Sequence, residues 1–443
     1  MKKNKSKKKR APKVFAVLLA VAVLAAAGYK AAEKNGFFII PPAISGLNAT
    51  YSDSMVKIDW NPADDVDLYR VYGIENSEPS LMAELKPEVT EFLITSPAPG
   101  HSYTFGVTTV RVSESGKEHE SIHHTVSLFT PPLPLTFSSV ISPEKGTALV
   151  KWVPSDGAAG YKVEYALTND FSDAKEETVS AGTEEYENDS LDEDSTYFFR
   201  ISSYALDGTK KVFSEPSLPV AVNIMGKTSR FVDPGKPMIA LTFDDGPGYN
   251  NASRRILDTL EKYGARATFF MVGNNAADNP ENLKRKVALG CELGNHTMTH
   301  KNYGKNVTAA DISDCSEAIY KACGQYPTCF RSPGGNTNDF IRSECRKAGL
   351  PLYYWSIDTN DWKYKDGNRL YNYVINHAGD GDIVLMHEIY TTTADGVEKI
   401  VPELIRRGYQ LVTVSELVNA KTGSSPVPGE QYVTAEKIRN ELP

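Results

Sequence analysis

Cysteine is scarce in this chain of 443 residues. The five present, Cys291, Cys315, Cys323, Cys329 and Cys345, all lie in one stretch of the C-terminal half, so the long segment before them is not stapled by disulfides. An odd count leaves at least one thiol over, one or two disulfides stay open, and the spacing does not give the pairing. Cys291, inside an apolar run, reads as a plain buried thiol. Positive charge is also in deficit: 48 Lys and Arg stand against 56 Asp and Glu, a net charge of −8 that a basic N-terminal tail partly masks. That balance gives no support for nucleic-acid binding. Long apolar runs are missing with one exception, Val14 to Tyr29, which follows the lysine- and arginine-rich Met1 to Lys13. A basic flank before an apolar run means export, basic side inside. The reading taken is a cytoplasmic tail at 1–13 and a membrane anchor at 14–33, with a cleaved signal peptide as the alternative. Either way the remainder lies outside the cytoplasm.

Upstream of the cysteines the sequence repeats itself. Val56-Lys57-Ile58-Asp59-Trp60-Asn61-Pro62 and Leu149-Val150-Lys151-Trp152-Val153-Pro154 are short alternating strands ending in tryptophan and proline. In both, a tyrosine follows nine positions after the tryptophan, Tyr69 and Tyr161, and a later strand begins at Tyr103 and Tyr197. A repeat of roughly ninety residues with this pattern suits a small β-sandwich. It resembles tandem fibronectin type III modules at about 43–130 and 133–224, joined by the stiff Pro131-Pro132-Leu133-Pro134. Spacing is the role expected of them, with carbohydrate or protein binding as the alternative.

Between Met238 and Leu417 short apolar runs alternate with amphipathic stretches, the pattern of parallel strands covered by helices. About seven strands are expected, at Met238–Phe243, Ala267–Val272, Cys291–Asn295, Thr328–Arg331, Leu352–Ile357, Asp382–Met386 and Gln410–Val414. Seven such units suggest a closed or nearly closed barrel. Asp244, Asp245, His296, His300, Arg331, Asp358, Asp361 and His387 fall just beyond the carboxyl ends of these runs, where barrel enzymes assemble their sites. Scattered surface charges have no reason to keep to strand ends. Adjacent aspartates at a strand end repel each other and call for a cation. Histidines four apart lie on one face of a helical turn and can grip one ion, and a carboxylate completes a facial set with open positions for water and substrate.

Five segments carry a family resemblance: Thr242-Phe243-Asp244-Asp245-Gly246, His296-Thr297-Met298-Thr299-His300, Arg331-Ser332-Pro333-Gly334-Gly335, Asp358-Thr359-Asn360-Asp361-Trp362 and Leu385-Met386-His387. In this order they resemble the NodB-type polysaccharide deacetylases, carbohydrate esterase family four, over residues 236–420, leaving 421–443 as a C-terminal tail. The resemblance implies a distorted (β/α)7 barrel that hydrolyses N-acetyl groups of aminosugar polymers or, less often, O-acetyl groups of xylan. It implies Asp245, His296 and His300 as metal ligands. The glutamate of zinc-peptidase His-Glu-x-x-His is absent, since position 297 is threonine, so the base comes from elsewhere, and Asp244 is the natural candidate. Zinc suits a His-His-Asp set, although manganese, cobalt or iron would occupy it too.

Amide hydrolysis also needs an acid, and His387 at the end of an apolar run fits, because an imidazole is protonated near neutrality. By resemblance Asp361 orients His387 and Arg331 pairs with Asp244. Leu385 is expected to line the acetyl pocket and Trp362 to wall the sugar. One departure stands out: many relatives carry an aromatic residue at the place of Gly334, where a backbone N–H is expected to help hold the oxyanion. The whole chain then reads as a membrane-anchored metal-dependent deacetylase, preceded by two all-β modules and acting on an acetylated glycan, foremost the N-acetylglucosamine of peptidoglycan. A secreted deacetylase of chitin-like or plant polysaccharide and a non-catalytic glycan-binding protein are the alternatives.

Overall fold

The computed structural model describes residues 39–226, 232–301 and 305–436. The expected anchor at 14–33 lies outside them, and among the described residues no helix is long and apolar enough to cross a membrane. By its internal contacts the chain forms two units, one ending at Pro132 and the other beginning at Leu133, with the short stretch Leu206–Val212 grouped with the first.

The first unit is mostly sheet. A three-stranded antiparallel sheet (Asn48–Ser52, Met55–Asp59, Glu91–Ile94) faces a five-stranded one built on Leu68–Glu75 and Ser102–Val112. Alternation decides which side chains meet: Val56 and Ile58 enter the core from one sheet, Tyr69, Val71, Phe105 and Val107 from the other. Trp60 packs edge-on against Tyr69, ring centroids 5.4 Å apart, and the Tyr69 hydroxyl accepts a hydrogen bond from the Ala63 N–H at 2.8 Å. The second unit opens on the same contacts. Trp152 meets Tyr161 at 5.3 Å, and the Tyr161 hydroxyl accepts from the Ser155 N–H at 3.2 Å. The nine-residue spacing therefore marks one device made twice, in which the tyrosine ring seals the tryptophan and its hydroxyl ties down the turn three residues after that tryptophan.

The remainder of the second unit is a parallel sheet of nine strands, β1 (Met238–Gly246), β2 (Thr268–Met271), β3 (Glu292–Asn295), β4 (Cys329–Phe330), β5 (Leu352–Tyr353), β6 (Ile357–Asp358), β7 (Ile383–His387), β8 (Gln410–Val412) and β9 (Gln431–Tyr432). Its order is β6-β7-β1-β2-β3-β4-β5-β9, with β8 also on β1. β1 is buried at every position but Asp245, as a strand covered on both faces must be. Helix Ala252–Tyr263 covers it with Ile256, Leu257 and Leu260 and stops at Gly264, whose φ of 59° is left-handed. Helix Ala309–Cys323 starts on a capping box between Thr308 and Asp311.

Two expectations are corrected here. The single strand Leu352–Ile357 is two strands towards opposite ends of the sheet: β5 lies between β4 and β9, and β6 pairs with β7 at the far edge. Residues 354–356 leave the ladder because the carbonyls of Tyr353 and Tyr354 turn to the Arg331 guanidinium and the rings of Tyr354 and Trp355 stack at 3.8 Å. The sheet is therefore a curled half-barrel that fits a distorted barrel, with nine unequal strands among the described residues in place of seven. The stretch expected as a tail supplies β9, and buries Tyr432 to 6% and Ala435 to 2% exposure. All five cysteines are free thiols. The second sandwich docks on the parallel sheet's covering layer through Phe198, which meets Tyr326 edge-on at 5.7 Å, and through the Thr196 hydroxyl, which donates to the Tyr326 carbonyl at 3.3 Å.

Candidate active site

The pairing of β1 with β7 sets Asp244 opposite His387 and Thr242 opposite Leu385. Asp244, 4% exposed, is held by Arg331 just beyond β4. Arg331 is wholly buried, and its N–H groups are answered: Nη1 donates to Asp244 Oδ1 at 2.8 Å and Thr242 Oγ1 at 2.7 Å, Nη2 to the Tyr354 carbonyl at 2.8 Å, and Nε to the Tyr353 carbonyl at 3.2 Å. The guanidinium lies 4.1 Å from the Phe270 ring centroid. A buried charge is tolerable only when paired and hydrogen-bonded in this way.

Asp245 follows with φ 70°, a left-handed conformation, and its carboxylate and that of Asp244 both approach His296 Nε2, at 3.5 and 3.6 Å. The histidine pair is not on a helical turn, and that expectation is corrected. His296 to His300 leave β3 as a loop in which Thr297 (φ 67°) and His300 (φ 50°) are left-handed, a backbone no helix accommodates. The Asn295 side chain fixes the loop by accepting from the Thr297 N–H at 2.9 Å. The two rings still converge, with centroids 5.1 Å apart.

Asp245 Oδ1 lies 3.5 Å from His296 Nε2 and 3.3 Å from His300 Nε2. The donor atoms of Asp245, His296 and His300 all fall within 4.8 Å of one another. His296 Nδ1 faces the Arg331 carbonyl at 2.6 Å, so Nδ1 carries the proton and Nε2 is left as a donor to a cation. Asp245 Oδ1 is buried without a hydrogen-bond partner, as an oxygen reserved for a metal would be. Two imidazole nitrogens and one carboxylate oxygen fit a divalent ion with open positions. The electrostatics agree. Burial opposes charge on Asp245, yet His296 beside it holds its pKa down at about 2. Burial also works against a charged His296, but Asp244 and Asp245 outweigh it and raise the pKa, whereas burial and the neighbouring His296 lower that of His300.

On the other side of the cleft His387 Nδ1 donates to Asp361 Oδ1 at 2.7 Å. The second oxygen of Asp361 accepts from the His387 N–H at 2.8 Å and from the Thr393 hydroxyl at 2.6 Å. Burial alone would lower the pKa of His387, but the Asp361 bond raises it to about 9, so the ring is charged at neutral pH. Leu385 is buried on the same strand, Trp362 is 49% exposed, and Gly334 (φ 62°) sits exposed in the Pro333–Gly335 turn. Glycine accepts that dihedral without strain, and a side chain added at the next residue, Gly335, would run into the Tyr354 ring. The structure thus joins Asp244 to Arg331, Asp245 to His296 and His300, and His387 to Asp361, with Leu385 on the His387 strand, while Gly334 and Trp362 stand shortly after Arg331 and Asp361 in the chain. Sequence reasoning missed Thr242 and Thr393: the first lies inside a quoted motif on the same strand face as Asp244, and the second sits in helix Thr391–Arg406 with no local signal.

The polysaccharide deacetylase family model matches residues 231–353. The chain is 40% identical over 193 residues to the peptidoglycan-N-acetylmuramic acid deacetylase PdaC of Bacillus subtilis, covering 43% of this chain and 40% of that protein. To the peptidoglycan-N-acetylglucosamine deacetylase PgdA of Listeria monocytogenes it is 38% identical over 186 residues, 41% of this chain and 39% of that one. It therefore spans about two fifths of the length of these two relatives. A solved structure of the Bacillus subtilis PdaC is similar with a TM-score of 0.41 at 40% identity, covering 43% of this chain and 95% of that one. A peptidoglycan-N-acetylglucosamine deacetylase of Bacillus cereus is 38% identical over 192 residues, 42% of this chain and 89% of that protein. Matched over nearly the whole of that enzyme, and by the family model from the approach to β1 through β5, the chain belongs to the polysaccharide deacetylase family.

Proposed function

We propose that this chain removes N-acetyl groups from the N-acetylglucosamine of peptidoglycan, outside the cytoplasm, with residues 14–33 anchoring it and the two β-sandwiches, read as fibronectin type III-like, serving as spacers. The observation that carries the catalytic reading is the register of β1 on β7, which sets a carboxylate and a charged imidazole opposite each other beside a three-donor metal site. A sugar-binding relic has no use for that opposition.

Asp245, His296 and His300 would hold the cation, which when bound acidifies water and polarises the acetyl carbonyl. Asp244 accepts the proton of the attacking water, and Arg331 holds its carboxylate in place for that purpose. The Gly334 N–H would donate to the developing oxyanion. His387, held charged by Asp361, gives its proton to the leaving nitrogen, which would otherwise depart as a very poor amine anion. Leu385 receives the acetyl methyl and Trp362 stacks on the sugar. Zinc suits the donor set. The names of the relatives extend to N-acetylmuramic acid, which makes that sugar the second substrate to test. The experiment is acetate release by the zinc-loaded ectodomain from peptidoglycan, chitin oligomers and acetylxylan. Release from peptidoglycan glucosamine is expected, and release from xylan alone overturns the reading.

A further inference from the structure

Behind the turn that follows Asp245 lies an ion pair with no part in the chemistry above. Lys286, on helix Pro280–Ala288, and Glu388, the residue after His387, both have wholly buried side chains, with Lys286 Nζ 2.8 Å from Glu388 Oε1. The ammonium also donates to Asn282 Oδ1 at 2.6 Å and lies 4.5 Å from the Phe269 ring centroid. Burial pulls the Lys286 pKa down, and Glu388 opposes it. Removing two charges from water costs several kcal/mol per ion, and an apolar pair of similar volume is often as stable. Stability therefore gives no reason for the pair, but its neighbours do. A Cβ on Gly246 would overlap the Glu388 carboxylate, so the Asp245-Gly246-Pro247 turn rests directly on it. The Glu388 N–H donates to the Asp244 carbonyl at 3.3 Å, carrying the β1–β7 pairing one residue past His387. Asp245 on that turn is left-handed, a conformation that persists in a non-glycine residue only where its surroundings impose it.

We propose that the Lys286–Glu388 pair is a positioning device that locks the Asp245 turn to the His387 strand end, keeping the metal-ligating carboxylate and the acid within reach of one reacting carbon. This rests on the roles given above to Asp245 and His387. Neither Lys286 nor Glu388 touches substrate. Each acts through the residue beside or above it.

The test is Lys286→Met combined with Glu388→Gln in the full chain, which removes both charges and orphans neither. Circular dichroism and thermal unfolding establish the fold. Zinc affinity is read by competition with a chromogenic chelator, and kcat and KM are measured on the same preparation. The expected result is a folded protein whose zinc affinity, and whose kcat at saturating zinc, each fall about tenfold to a hundredfold, the range for groups that orient metal ligands, with KM little changed. Glu388→Asp, which keeps the charge but withdraws the carboxylate from Gly246, should show a smaller loss in the same two quantities. A folded double variant that binds zinc and turns over like the parent overturns the proposal. Should the double variant fail to fold, Glu388→Asp decides by the same readouts, parental values again overturning it. Zinc affinity requires no substrate, so a parent chain inactive on every glycan would sink the proposed function while leaving this test intact.

Discussion

Arg70, on the exposed sheet face of the first unit, and Arg331, at the rim of the parallel sheet, are opposite ways of using one side chain. Arg70 makes three ion pairs, with Glu84 at 2.7 Å, Glu118 at 2.8 Å and Glu120 at 2.9 Å, and the partners' side chains are 49%, 49% and 29% exposed. Arg331 makes one, with Asp244, and its other hydrogen bonds go to a hydroxyl and two carbonyls in the buried interior. Counting salt bridges ranks Arg70 first. Solvent reverses the order, because water screens the exposed cluster and competes for every partner, whereas nothing replaces Arg331 if it is removed.

The largest effects are expected at the groups the buried charges serve. His296→Ala with His300→Ala should abolish bound metal and activity together, since one carboxylate cannot hold the ion; stoichiometric metal in the double variant, measured by atomic emission, would sink the ligand assignment. Asp244→Asn should keep the metal and lose on the order of a hundredfold or more in kcat, as for a lost general base, while Asp245→Asn should weaken zinc binding instead. Exchanged phenotypes would mean the two aspartates are assigned backwards.

Arg331→Met leaves Asp244 buried without its partner and should cost about 3–5 kcal/mol in urea unfolding, in addition to activity. His387→Ala should suppress amide turnover more than turnover of an activated acetyl ester, whose leaving group departs unprotonated; equal losses would assign the proton to another group. The acid form of His387 exists below its pKa of about 9, so activity is lost as pH rises through that value. Asp361→Asn removes the group that raises it, and the alkaline limb of kcat/KM should move to lower pH. Smallest of all, Arg70→Met should change stability by about 0–1 kcal/mol and leave turnover untouched. A loss there matching that of Arg331→Met would show that solvent exposure does not set the worth of these ion pairs.

What the sequence made legible follows the same division between local and assembled features. The strands of the parallel sheet showed because burial on both faces forces an apolar run, and the polar residues at their ends showed because they sit where such runs stop, as at Asp244 and His387. The Trp–Tyr repeat showed because one contact dictates one spacing. The split of Leu352–Ile357 did not show, since the cause is Arg331, some twenty residues upstream, drawing two carbonyls out of the ladder. The loop carrying His296 and His300 was mistaken for a helical turn because four-residue spacing is also met by a chain with two left-handed residues. Thr393 and the Lys286–Glu388 pair act across about 32 and 102 positions of sequence separation, and no local pattern encodes them.

The Arg331 carbonyl that meets His296 belongs to the residue whose guanidinium holds Asp244. Substitution can strip the guanidinium but never the carbonyl, so the two services have unequal fates in descent. On the proposed mechanism, a lineage that lost the arginine would forfeit hydrolysis while its first histidine kept the tautomer that ligation needs. Decay at this position would then give an inert protein that still captures a cation, and metal content alone would be no guide to which descendants remained enzymes.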